Sequence, residues 1–119
     1  MESILTSIKK LLGITEEYEH FDTDIIMHIN SVFSILTQLG VGPENGFSIT
    51  DKDATWDDFI KDDSQLEMVK SYMHQKVKLF FDPPLSSAVI ESTNRILSEL
   101  EWRINVAAES GKKEEIQNG

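Results

Sequence analysis

An all-α fold is predicted by three features of the sequence. Apolar residues recur every three or four positions through three long stretches. Each stretch is bounded by glycine, proline or a capping residue. Strand-like alternation is confined to Gly46-Phe47-Ser48-Ile49-Thr50, where it is weak and predicts at most a short extended segment. The expected architecture is a small bundle of three main helices at 22–39, 64–81 and 86–108, with a short helix at 3–12 and an irregular loop at 41–62. The 119 residues fit one domain. It divides into a helical body, 1–110, and a charged C-terminal tail, 111–119, that cannot bury a core and is expected to be mobile.

The first helix rests on Ile4, Leu5, Ile8, Leu11 and Leu12, with Gly13 as its stop. An acidic connection, Ile14 to Glu19, follows; its glutamates read as solvated. Asp22 can cap the second helix, and Asp22 and Asp24 both suit its positive N-terminus. Ile25, Ile26, Ile29, Val32, Phe33, Leu36 and Leu39 form the stripe, and Gly40 with Gly42-Pro43 closes the helix. Thr55 and Asp58 make an approximate capping box before a short turn carrying Trp56, Phe59 and Ile60.

The chain is organised around Val77-Lys78-Leu79-Phe80-Phe81-Asp82-Pro83-Pro84. Pro83 has no N–H and restricts Asp82 to extended backbone, so the helix that began near Ser64 must end at about Phe81. Its stripe of Leu66, Val69, Met73, Val77 and Phe80 then needs the next helix as a partner. A short stiff link makes the two an antiparallel pair. In that pairing Phe80 meets Leu97 and Leu100. The opposite face holds Lys70, His74 and Lys78 in an i, i+4 row, which reads more simply as a wet face than as an anion site. Ser86 or Ser87 caps the last helix, whose outer side offers Arg95–Glu99 and Glu99–Arg103 pairs. Its stripe is Val89, Ile90, Ile96, Leu97, Leu100, Ile104 and Ala108, and Trp102 lies off it.

The formal charge is −10, and it is unevenly spread: residues 14–63 hold twelve acids against only Lys52 and Lys61. Such a field repels phosphates and argues against tight nucleic-acid binding. The absence of cysteine excludes disulfides, thiolate metal sites and thiol nucleophiles. The start of the chain lacks a signal peptide's apolar run, and no stretch approaches a membrane span, so a soluble cytoplasmic product is expected. Asp51, Asp53 and Thr55 begin like a calcium loop, but Trp56 stands where glycine is required and Asp62 where a bidentate glutamate is required. His20, His28 and His74 are scattered, and the paired acids Asp57/Asp58 and Asp62/Asp63 read as helix-start residues. No cofactor and no catalysis are expected.

Several stretches, in order, carry a resemblance. They are Leu11-Leu12-Gly13-Ile14-Thr15, Ile29-Asn30-Ser31, Gln38-Leu39-Gly40-Val41-Gly42-Pro43, Thr55-Trp56-Asp57-Asp58-Phe59, the Phe80-Phe81-Asp82-Pro83-Pro84 turn, and Leu100-Glu101-Trp102-Arg103-Ile104-Asn105. Together they resemble the head–tail connector, or head-completion adaptor, proteins of long-tailed double-stranded DNA phages, whose prophage copies are often labelled DNA packaging proteins. The resemblance implies a helical, non-enzymatic subunit that forms a ring, of twelve copies in the virion, below the portal protein. The ring extends the DNA channel after packaging and meets a downstream connector or tail protein. DNA passes without specific binding, no membrane is involved, and the protein moves from the host cytoplasm during assembly to the virion neck. Within that picture Trp56, Phe59, Arg95, Trp102 and Arg103 are candidate contacts with a second subunit or the portal, though Trp56 and Phe59 read equally well as caps on the open end of the helical core; Asp51, Asp53, Asp57 and Asp58 are candidate channel-facing acids, with ordinary solubilising charge as the alternative. The alternative is an acidic helical regulator, or DNA mimic, that binds one host protein.

Overall fold

The first helix, α1 (Ile4–Leu11), begins where the Ser3 hydroxyl accepts the Thr6 backbone N–H at 3.2 Å. It ends at Gly13, whose φ of 81° only glycine adopts without strain. α2 (Asp22–Gln38) carries the expected stripe, with Ile25, Ile29, Val32, Phe33 and Leu36 all buried. Its cap position is Phe21, not Asp22. The Asp22 carboxylate is taken up instead by a charge contact with Lys9. Gly40 follows with a φ of 92° and turns the chain into the loop. α3 (Trp56–Phe59) is one turn, and the Thr55/Asp58 capping box predicted for it is formed, with the Asp58 carboxylate accepting the Thr55 N–H at 2.9 Å. α4 (Asp63–Phe81) and α5 (Ser87–Asn118) complete the chain. The structure, a computed structural model, describes residues 2–61 and 63–118, and the side chains of Asp63 and of 112–118 lie outside that description, as do the Asp62/Asp63 pair and the side-chain chemistry of the tail.

Five helices and no strand occur among the described residues, so the all-α class holds. α4 packs against α1, α2 and α5 and forms the centre of the bundle. Tyr72 lies beside Glu101, and Leu79 shares a cavity with Val89, so α4 and α5 run antiparallel across the Pro83-Pro84 link as predicted. The Ser86 hydroxyl accepts the Val89 N–H at the start of α5. The core between these elements comprises Leu66, Val69, Tyr72, Met73 and Val77 from α4 and Leu97, Ile104 and Ala108 from α5.

Two expectations, the place of Phe80 and the end of the last helix, are corrected, and the weak extended segment is held by a side chain and not by a strand. Phe80 is 43% exposed and does not enter the α4–α5 seam. The seam is carried by the Tyr72/Leu79 side of α4, so Phe80 is rotated towards α2, where its ring lies 5.7 Å from the His28 ring and under the Lys76 ammonium. The segment 46–50 forms no strand. The Asn30 side chain pairs with both backbone groups of Ile49 instead, donating to its carbonyl at 2.9 Å and accepting its N–H at 2.8 Å, which satisfies what a neighbouring strand would have satisfied. Finally, the backbone of α5 does not stop at Ala108 but stays helical to Asn118, so 111–118 extends the helix. The sequence beyond Ala108 supplies Glu, Lys, Ile and Gln, ordinary helix formers, so the helix continues past the last buried residue of its stripe among the described side chains. Gly111 is tolerated in open space.

Candidate assembly surfaces

Most of the loop side chains single out structure, and the surfaces left over are the candidate site. Trp56 is completely buried and Phe59 nearly so. The short α3 drives both into the open end of the bundle, where Phe59 packs 4.6 Å from the Phe33 ring and 5.3 Å from Phe47. The Trp56 indole N–H donates to the buried Ser7 hydroxyl at 3.0 Å, and Ser7 in turn donates to the Ile4 carbonyl at 2.9 Å. These two aromatics are therefore core residues of the subunit and not exposed anchors, which corrects their assignment as contact residues. Gly42 is bound to the same arrangement. Its φ is 86°, and a Cβ there would overlap the Phe59 ring.

The outer face of α5 remains open. Trp102 is 67% exposed, with Arg95, Glu99, Arg103 and the half-exposed Val106 on the same side. Arg103 donates to the Glu99 carboxylate at 2.8 Å; both side chains are well solvated, so the pair adds only tenths of a kcal/mol in water. A large aromatic beside guanidinium groups is a composition favoured at protein contacts. The inner side of the same motif is structural: Asn105 donates to the Leu39 carbonyl at 3.1 Å and so closes the end of α2.

Asp51, Asp53, Asp57 and Asp58 are all exposed. Two of them already have local roles. The Asp51 carboxylate accepts the Asp53 N–H at 2.8 Å, and Asp58 serves the α3 capping box. Asp53 and Asp57 are the freer pair. No group of three or more metal-ligating side chains is present among the described residues.

Sequence reasoning missed the chief polar element of the molecule. Lys9 is 2% exposed, and its ammonium reaches the Asp22 carboxylate at 2.8 Å and donates to the Glu16 carbonyl at 3.0 Å and the Tyr18 carbonyl at 2.7 Å. One cation thus fixes the acidic connection between α1 and α2 from beneath. The only signal in the sequence was a lysine beside an apolar stripe, which ordinarily reaches water.

The Lys70, His74, Lys78 row is only partly a wet face. Lys70 lies 5.7 Å from the Trp56 ring centre. Burial holds His74 below the ordinary histidine range, helped by the nearby Lys78 charge and opposed by the Leu11 carbonyl. On the other side of α4, the Tyr72 hydroxyl is buried beside the Glu101 carboxylate without completing a hydrogen bond to it. Burial first, and that negative charge second, push its ionisation far above the ordinary tyrosine range.

No helix among the described residues is long and apolar enough to cross a membrane. No curated protein and no solved structure matches the chain. A family match spans nearly all of α1 to α5: residues 4–111 match the family described as phage connector protein. The chain therefore belongs to the phage connector protein family, and its role is that of a structural connector and component of the virion.

Proposed function

We propose that the protein forms a ring between the portal and the tail, extending the DNA channel once packaging is complete. The observation that carries this reading is the family match over 4–111, which takes in every core element described above. The ring is taken to hold twelve copies, with the portal protein on one side and a downstream connector or tail protein on the other. Subunits assemble in the host cytoplasm and end in the virion neck.

The charge distribution supports the channel role. A basic wall would hold the duplex through counterion release, whereas an acidic wall repels phosphates and leaves DNA free to slide. Asp53 and Asp57, with Asp51 and Asp58, are the acids proposed to face the channel. Subunits of net charge −10 repel one another. Arg95, Trp102 and Arg103 on the outer face of α5 are proposed to offset that repulsion at a subunit or portal contact, where guanidinium pairs well with carboxylate. Sedimentation with purified portal tests the reading: the protein should travel with the portal, and a protein left entirely in the supernatant would overturn it.

A further inference from the structure

Two cavities along α4, one against α1 and one against α5, gather cations in an otherwise acidic molecule. One, of about 260 Å³, is lined by Ile8, Lys10, Leu11, Trp56 and Lys70 together with Glu2. The other, of about 210 Å³, lies between α4 and α5 and is lined by His74, Lys78, Leu79, Pro84 and Val89. Leu11 joins them, since it lines the first and its carbonyl faces His74 of the second. The result is an apolar floor edged by Lys10, Lys70 and Lys78, with Glu2 and Glu67 as the acids nearby. The half-exposed Leu11 and Val89 leave part of that floor open to solvent.

The complementary shape and charge occur on the same chain. Glu16-Glu17-Tyr18-Glu19 presents an aromatic ring, 50% exposed, among three exposed glutamates. The segment is not a loose linker. Lys9 holds the Glu16 and Tyr18 carbonyls, Tyr18 N–H donates to the Thr15 carbonyl at 3.2 Å, and Asp22 N–H donates to the Glu19 carbonyl at 3.1 Å. A pre-organised segment loses little entropy on docking.

We propose that the Glu16–Glu19 hook of one subunit docks on the Lys10/Lys78-edged cavities of a second copy of this chain, Tyr18 meeting the apolar floor and the glutamates meeting the lysines. The proposal rests on the reading that subunits self-assemble, and it names the surfaces involved. The contact joins two unlike patches, the kind from which rings are built. It also explains how copies of a strongly acidic protein approach one another: the attraction is local and directed, and it weakens with salt.

The test is self-association of the full chain measured by sedimentation over a concentration series, at low and high salt. The wild type should associate, less so at high salt. Lys10→Glu/Lys78→Glu and Glu17→Lys/Glu19→Lys should each weaken association about tenfold or more, and Tyr18→Ala should weaken it without changing the salt dependence. Circular dichroism and melting curves identify any variant that has failed to fold. Mixing the two charge variants is decisive even if each alone is monomeric, because the first retains an intact hook and the second an intact cavity. The mixture should associate, because each variant's hook meets a cavity of opposite charge on the other. A wild type that is monomeric at every concentration, or a mixture that stays monomeric while the wild type associates, would overturn the proposal. Portal binding is read separately, so a protein that sediments with the portal but ignores these substitutions defeats the hook and spares the connector reading.

Discussion

The α4–α5 hairpin and the α1–α3 end of the molecule are held together by different physics. In the hairpin, stability comes from a repeated apolar stripe, and each side chain does much the same thing as its neighbour four residues on. At the other end, single residues make single contacts: Lys9 on two carbonyls and a carboxylate, Asn30 on Ile49, Trp56 on Ser7, and Ile4 N–H on the Ala54 carbonyl at 3.0 Å. Periodic packing tolerates apolar substitution of similar volume. Individually specified contacts do not, because a removed partner leaves a buried polar group unsatisfied.

The contrast is sharpest for two aromatic residues. Trp56→Ala opens a cavity and removes the indole donor from the Ser7 hydroxyl, which keeps its bond to the Ile4 carbonyl; it should cost about 3–5 kcal/mol, read as a loss of thermal and denaturant stability. Lys9→Met keeps most of the stem but leaves two carbonyls and Asp22 without their cation; Asp22 is partly solvated, so the expected cost is about 2–3 kcal/mol. Phe80→Ala should cost only about 1 kcal/mol, because much of the ring is already in water. If Phe80→Ala proved as damaging as Trp56→Ala, Phe80 would have to lie inside the core and not at its exposed edge.

The fold was legible where physics is periodic. The stripes of α2 and α4, the stop at Pro83-Pro84, the glycine stop at Gly40 and the Thr55/Asp58 box all follow from local spacing and backbone chemistry. Phe80 was misplaced because helical spacing fixes a face only to within its width, and the edge of a stripe can turn to either neighbour. Core and contact could not be told apart for Trp56 and Phe59 because a one-turn helix has no periodicity to show which way its side chains point. Lys9 and Asn30 were invisible because their partners are backbone carbonyls and amides from distant segments, which have no identity in a sequence. Of the candidate contact surface, Arg95, Trp102 and Arg103 do stand on an exposed face. The basic-edged cavities required α1 and α4 to be brought together, and no single helix displays them.

A smaller effect tests the junction between the two regions, where His74 of α4 meets the end of α1. Burial favours its neutral form, so the unfolded chain takes up the proton more readily than the folded one. Stability from this group is complete above the ordinary histidine pKa of about 6.5 and falls as the pH drops below it. His74→Gln should therefore flatten the decline in melting temperature between about pH 7.5 and 5.5. An unchanged pH profile would place the titrating groups elsewhere.

Electron microscopy of the protein mixed with portal tests the proposed ring most directly. The account predicts a closed layer of extra density, coaxial with the portal and continuous with its channel, into which the bundle fits with the acidic loop of 51–58 towards the axis. Portal particles identical with and without the protein, or density attached off the axis as isolated subunits, would contradict it.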